Sequence, residues 1–233
     1  MAETIIRALG WQPFDDQDRA LLAKYPKCVM IYPHTSYYDF CLYILYQMAD
    51  PILQRRCRIL INPSFTENFQ WLLKYIGSIE ATRREIRNGG ATRRICRELE
   101  KLDEFIFALS PKGSMEPNHA WRSGFYHIAK QMGCPVMPAG FDYVKKKFIF
   151  QQPFYIDDMT FEQACAEGKK RLFDIIPCHP DRSEYPLALH DKSKACLMPF
   201  WRWLVLWVLM LILLVAAVCL LIWAKRRLSS GVT

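Results

Sequence analysis

Glycine is scarce in this chain, 10 in 233 residues, no internal repeat is found, and only 23% of residues are charged. The first two features exclude collagen-like and low-complexity chains. The third, set against 52% hydrophobic residues, excludes a mainly disordered chain, which needs low hydrophobicity and high charge. Zinc knuckles and thioredoxin-type motifs are missing too: the nine cysteines (28, 41, 57, 96, 134, 165, 178, 196 and 219) include no Cys-x-x-Cys pair. Their number is odd, they are scattered, and no secretory signal is read ahead of them. They read as buried thiols in a reducing compartment. No Gly-x-Ser-x-Gly elbow surrounds Ser36, which argues against a serine nucleophile there. No nucleic-acid-binding motif is present either, although the net charge of +8 invites a polyanion or an anionic membrane as partner.

What the chain does have is one long apolar run. Residues 203–224 (WLVLWVLMLILLVAAVCLLIWA) carry no charge, glycine or proline. About 20 such residues cross a bilayer core as a helix. Trp201, Trp203, Trp207 and Trp223 sit near the ends, where an aromatic belt lies, and Arg202 and Lys225–Arg227 close the run on both sides. Half of the +8 therefore flanks this segment, which turns the charge from a hint of nucleic acid into a sign of a bilayer. The expected organisation is a soluble domain over 1–180, a polar linker over 181–201, a single-pass transmembrane anchor over 202–225 and a basic tail over 226–233. Basic residues near the two ends are balanced, so orientation rests on the thiols, which place the domain in the cytosol. The oligomeric state is left open.

The remainder alternates short apolar runs with helical stretches. Strands are expected at 28–32, 58–61, 78–81 and 105–109, and as a hairpin at 136–143 and 147–150. Helices are expected at 40–48, 67–75 (ended by Gly77), 91–101 and 124–132. Another follows from 160 to about 175, opened by the capping box Thr160-x-x-Gln163. This alternation predicts an α/β fold, a mixed, largely parallel sheet flanked by helices, plus the C-terminal transmembrane helix.

One pattern carries chemistry. His34 follows the first strand and stands five positions before Asp39, across a strand-to-helix turn at what becomes the ligand-binding edge of a parallel sheet. At that spacing the carboxylate can hold one ring nitrogen and leave the other as a general base. Three arginine clusters, at 55/56/58, 83/84/87 and 93/94/97, are phosphate or headgroup contacts or solvated faces. The second cluster favours function because it follows a strand end. Lys145–Lys147 reads as a hairpin tip, His119 as a surface residue, His127 as packed or half-exposed, and His179 and His190 as linker residues.

In order along the chain, His34-x-x-x-x-Asp39, the short strand ending at Arg83, the loop Ser110-Pro111-Lys112-Gly113-Ser114-Met115, and Pro135-Val136-Met137-Pro138 resemble the four blocks of the glycerolipid acyltransferase superfamily, the lysophosphatidic acid acyltransferase type. The likeness covers about 27–150. Trp121–Tyr126 and the stretch from Phe141 to Lys147 look most like a compact bacterial-type branch. The third block departs from the family's Pro-Glu-Gly-Thr-Arg, with Lys112 in place of Glu, Ser114 of Thr and Met115 of Arg.

The resemblance implies acyl transfer without a covalent intermediate, from acyl-CoA or acyl carrier protein to the hydroxyl of a lysophospholipid such as 1-acylglycerol-3-phosphate. His34 would act as general base oriented by Asp39. Backbone N–H groups nearby would hold the oxyanion, and Arg83, Lys112, Gly113, Ser114 and Pro138 would bind substrate. It implies no metal and no cofactor beyond the thioester substrate. Lys112 and Met115 motivate a different lysolipid acceptor as an alternative. A thioester hydrolase using the same His-Asp pair and a non-catalytic, membrane-anchored lipid-binding module are the others.

Overall fold

The computed structural model describes residues 1–61, 75–82, 84–85, 90–116 and 120–183. Residues 67–74 of the helix expected at 67–75, Arg83, Arg87, His119, the linker beyond 183 and the whole apolar run at 203–224 lie outside them. Among the described residues no helix is long and apolar enough to cross a membrane.

The elements run α1 (Ala2–Ala8), α2 (Asp16–Lys24), β1 (Lys27–Ile31), α3 (Tyr38–Ala49), α4 (Pro51–Arg56), β2 (Cys57–Ile61), β3 (Ser78–Glu80), α5 (Gly90–Leu99), β4 (Phe105–Leu109), α6 (Gly124–Met132), β5 (Val136–Asp142), β6 (Lys147–Phe150) and α7 (Phe161–Arg171). A 3₁₀ turn follows at Pro180–Arg182. The six strands form one sheet in the order β3-β2-β4-β1-β5-β6. Every pairing is parallel except the β5–β6 hairpin. This is the mixed, mostly parallel α/β sheet that the alternation predicts.

The central strands are continuous apolar runs because helices cover both faces. All five residues of β4 (FIFAL) are buried, as are four of the five in β1. On α5 the buried Ala91, Ile95, Cys96 and Leu99 recur at helical spacing and face the sheet. The third arginine cluster takes the other side. There Arg94 pairs with Glu85 and Glu98 and donates to the carbonyl of Glu80. A second apolar group lies under the N-terminal helices, where Trp11 and Phe14 meet Tyr46, Phe141 and the β6 rings Phe148 and Phe150.

Three short helices go beyond the sequence expectation. α2 is held by a reciprocal capping box between Asp15 and Asp18. α4 starts at Asp50-Pro51, with the Asp50 carboxylate accepting from the N–H groups of Ile52 and Leu53. α1 has seven residues and one buried side chain, Ile6, too few to show a period. The Thr160/Gln163 box does open α7, but the helix ends at Arg171 rather than near 175. There the chain leaves to bond the end of β5: Tyr143 N–H donates to Ile176 O, and Ile176 N–H to the Asp142 carboxylate.

The first arginine cluster is structural. Arg56 is buried at 2% exposure, donates to the carbonyls of Leu22 and Tyr25, and pairs with Glu104, which Arg55 also meets. It locks α4 to the end of α2 and is no headgroup contact. His127 is exposed on α6. None of the seven described cysteines forms a disulfide, and five of them are buried.

Candidate active site

β1 and β4 are paired in parallel with Ile31 opposite Leu109, so both chains leave the sheet side by side. Tyr32 N–H continues the ladder by donating to Leu109 O. This register brings the His34–Asp39 turn and the 110–115 loop together at the carboxyl edge, the usual place for a ligand in such sheets.

Within the turn, Asp39 opens the first turn of α3 and is 4% exposed. Its Oδ2 accepts from the backbone N–H groups of Thr35 and Ser36, each at 3.1 Å. His34 Nδ1 lies 3.3 Å from the same oxygen. The other oxygen, Oδ1, accepts from the hydroxyl of Tyr143 at 2.7 Å. A carboxylate only accepts, so the network assigns the proton to His34 Nδ1 and leaves the Nε2 lone pair as the basic site. The His34 side chain keeps 27% of its surface exposed, so that base is reachable.

His34 lines a cleft of about 20 Å³ with Tyr32, Lys112, Trp121, Arg182 and Ser183. Tyr32 and His34 meet edge to face, with ring centroids 6.2 Å apart. Burial, reinforced by the Asp39 charge, pushes the Tyr32 phenol up, so it keeps its proton at neutral pH. Trp121 stands on α7: a Cβ on Gly168 would come within 2.9 Å of its ring.

The remaining expected site residues divide. Lys112 is in the cleft wall, 7% exposed, but its ammonium donates to the carbonyl of Arg182 at 2.7 Å. Gly113 has φ +65°, closes a turn by donating to Ser110 O, and lies under the Arg122 side chain. Only glycine adopts that conformation cheaply. Ser114 Oγ accepts from Glu116 N–H inside the loop. Pro138 sits in β5 opposite Ile31, its carbonyl taken by Gln151 N–H. Neither Ser114 nor Pro138 lines the cleft. The N–H groups of Thr35 and Ser36, the nearest oxyanion donors on sequence grounds, are already given to Asp39.

Two contributors escaped the sequence reading. Tyr143 follows β5 and reaches back 104 positions to Asp39. Residues 179–183, placed by sequence at the end of the domain and the start of the linker, form a strap on the His34–Asp39 turn. His179 N–H donates to Thr35 Oγ1, and Arg182 Nη1 donates to Thr35 O at 3.1 Å. No local signal marks either residue, beyond Tyr143 standing in the Phe141-Asp142-Tyr143 stretch that carried part of the resemblance.

No curated protein and no solved structure matches the chain. A family model described as Acyltransferase matches residues 14–142, which span β1 through β5 and contain His34, Asp39 and the 110–115 loop. With more than half of its length matched and a His-Asp pair at the sheet edge, the chain belongs to the acyltransferase family.

Proposed function

We propose that this acyltransferase moves a fatty acyl group from a thioester, acyl-CoA or acyl carrier protein, to the hydroxyl of a lysophospholipid. The observation that carries the proposal is the His34–Asp39 pair. Asp39 is fixed by two backbone N–H groups and the Tyr143 hydroxyl, and it holds His34 in the tautomer a general base needs. His34 Nε2 takes the proton of the acceptor hydroxyl as its oxygen attacks the thioester carbonyl. The tetrahedral intermediate collapses with loss of the C–S bond, and the leaving thiolate takes the proton back from the imidazolium. The products are an ester and a free thiol. Asp39 stabilises the transient imidazolium, as in the Asp-His half of a serine-hydrolase triad, with the substrate hydroxyl where the serine would stand.

The apolar run at 203–224 supports a reading in which the domain is tethered to the bilayer that holds its acceptor, on the cytosolic side. A second reading, thioester hydrolysis, is favoured by one feature. The cleft at His34, about 20 Å³, has room for a water molecule.

The test is acyl transfer from labelled acyl-CoA to a panel of lysolipids by membranes carrying the wild type or His34→Ala. Labelled lipid from the wild type, reduced at least about 100-fold in the variant, is expected. Equal incorporation by both would sink the mechanism, and labelled free fatty acid without labelled lipid would establish the hydrolase.

A further inference from the structure

We propose that Arg182, on the strap after α7 and outside the segment that the family model matches, binds a phosphate group of a substrate at the His34 cleft. Lys112 is then the latch that seats this strap. The inference rests on the acyl-transfer reading above.

The argument starts from the two departures in the 110–115 loop. The resembled pattern has Glu at position 112 and Arg at 115, where this chain has Lys and Met. An ammonium has only donors and needs oxygen partners when buried. The Lys112 ammonium finds the carbonyl of Arg182, 70 positions away, at 2.7 Å. A glutamate in that place would turn an acceptor toward an acceptor, so the replacement of Glu by Lys is what allows the strap to lie here. The strap in turn brings back a guanidinium, the group that Met115 fails to supply.

Arg182 is placed to use it. It is half-buried and lines the same cleft as His34. One of its N–H groups is bound to Thr35 O, which fixes the guanidinium beside the catalytic turn. A guanidinium has five donors, and among the described residues no carboxylate pairs with this one. A planar fork of N–H groups held at a cleft wall fits a phosphate oxygen pair. Lys112, by contrast, already spends a donor on the strap, which makes it a positioning residue.

The phosphate has two sources, the monoester of the acceptor lipid or the phosphates of CoA. Full-length protein in detergent is assayed as wild type, Arg182→Gln, Arg182→Lys and Lys112→Met. Donors are palmitoyl-CoA and palmitoyl-pantetheine, and acceptors are lysophosphatidate and monoacylglycerol. Arg182→Gln keeps an N–H for Thr35 O but loses the charge. The expected result is a rise in KM of about 10- to 100-fold for one phosphate-bearing substrate, with kcat within about threefold. Arg182→Lys restores most of it, and the effect vanishes with that substrate's phosphate-free analogue. The substrate that responds names the source.

An unchanged KM for both phosphate-bearing substrates overturns the proposal. So does an equal loss with the phosphate-free analogues, which would mean that Arg182 acts only through Thr35. If the wild type transfers no acyl group, the acyl-transfer reading fails by itself. Arg182 is then judged by isothermal titration of the full-length protein with glycerol 3-phosphate and adenosine 3′,5′-bisphosphate. Binding of one probe weakened about tenfold or more by Arg182→Gln supports the site, and equal affinities or no binding overturn it. Lys112→Met is expected to speed amide exchange over 179–183 and to reproduce the KM effect; unchanged exchange refutes the latch.

Discussion

Replacing Tyr143 by Phe removes one oxygen from the centre of the site and leaves the rest of the side chain in place. The ring is 1% exposed, with Trp11 edge-on at 5.1 Å and Lys146 over its face, so the phenyl group keeps its packing. What is lost is a 2.7 Å hydrogen bond to a buried carboxylate, and Asp39 Oδ1 has no other described donor. Hydrogen bonds to charged groups contribute about 1.5–3 kcal/mol, and the orphaned acceptor brings the cost to the upper half of that range. For a chain of this size the melting temperature falls by roughly 4–12 °C. Oδ2 retains its three donors, so Asp39 stays in place but turns more freely. If half of the lost energy is felt in the transition state, kcat falls by about 6- to 13-fold while KM is unchanged. Thermal unfolding and steady-state transfer well below the melting temperature measure the two effects. A melting shift under about 1 °C would refute the buried bond. A destabilised variant with unaltered kcat would show that the three donors on Oδ2 orient Asp39 by themselves.

Two further perturbations test the scaffold. Gly77 has φ +70° and a Cβ there would stand 2.7 Å from the carbonyl oxygen of Cys57, so Gly77→Ala is expected to cost about 1–2 kcal/mol for the conformation and more for the clash, read as a lower urea midpoint with unchanged slope. Lys147 holds Asp15 and Asp18 of the α2 capping box, and chiefly its hydrogen bond to Asp15 lowers that carboxyl from its usual range to about 2. A depressed carboxyl stabilises the fold above its unfolded value and stops doing so as pH falls to the folded one, so the stability difference between wild type and Lys147→Met narrows from about pH 4 to about pH 2. Asp15 is half-exposed, so the gap at neutral pH is below about 1 kcal/mol. Urea unfolding across that range measures it, and a gap that widens toward acid would refute the assignment.

The His34–Asp39 pair was legible in the sequence because its geometry is local: five positions, one strand end and one helix start fix it, and the backbone N–H groups that hold Asp39 belong to the same turn. The strands were legible because a parallel sheet covered on both faces needs unbroken apolar runs, and β4 is one. The Thr160/Gln163 box likewise announced the start of α7. Its end was not visible, because Ile175 and Ile176 continue a helical apolar pattern while the backbone is drawn off to bond β5. The short helices α1, α2 and α4 draw their stability from caps and from tertiary contacts such as Lys147 and Arg56 rather than from a readable period.

The local pattern of residues was enough to place a His34–Asp39 pair at the edge of an α/β sheet and to mark the apolar run at 203–224 that the bilayer proposal uses. What surrounds His34 took shape only in the folded chain. Tyr143 reaches Asp39 across 104 positions, Lys112 reaches the strap across 70, and Arg182 reaches Thr35 across 147. Pairings at such separations leave no period or spacing in the chain, since they exist only once the sheet register has brought the strand ends together.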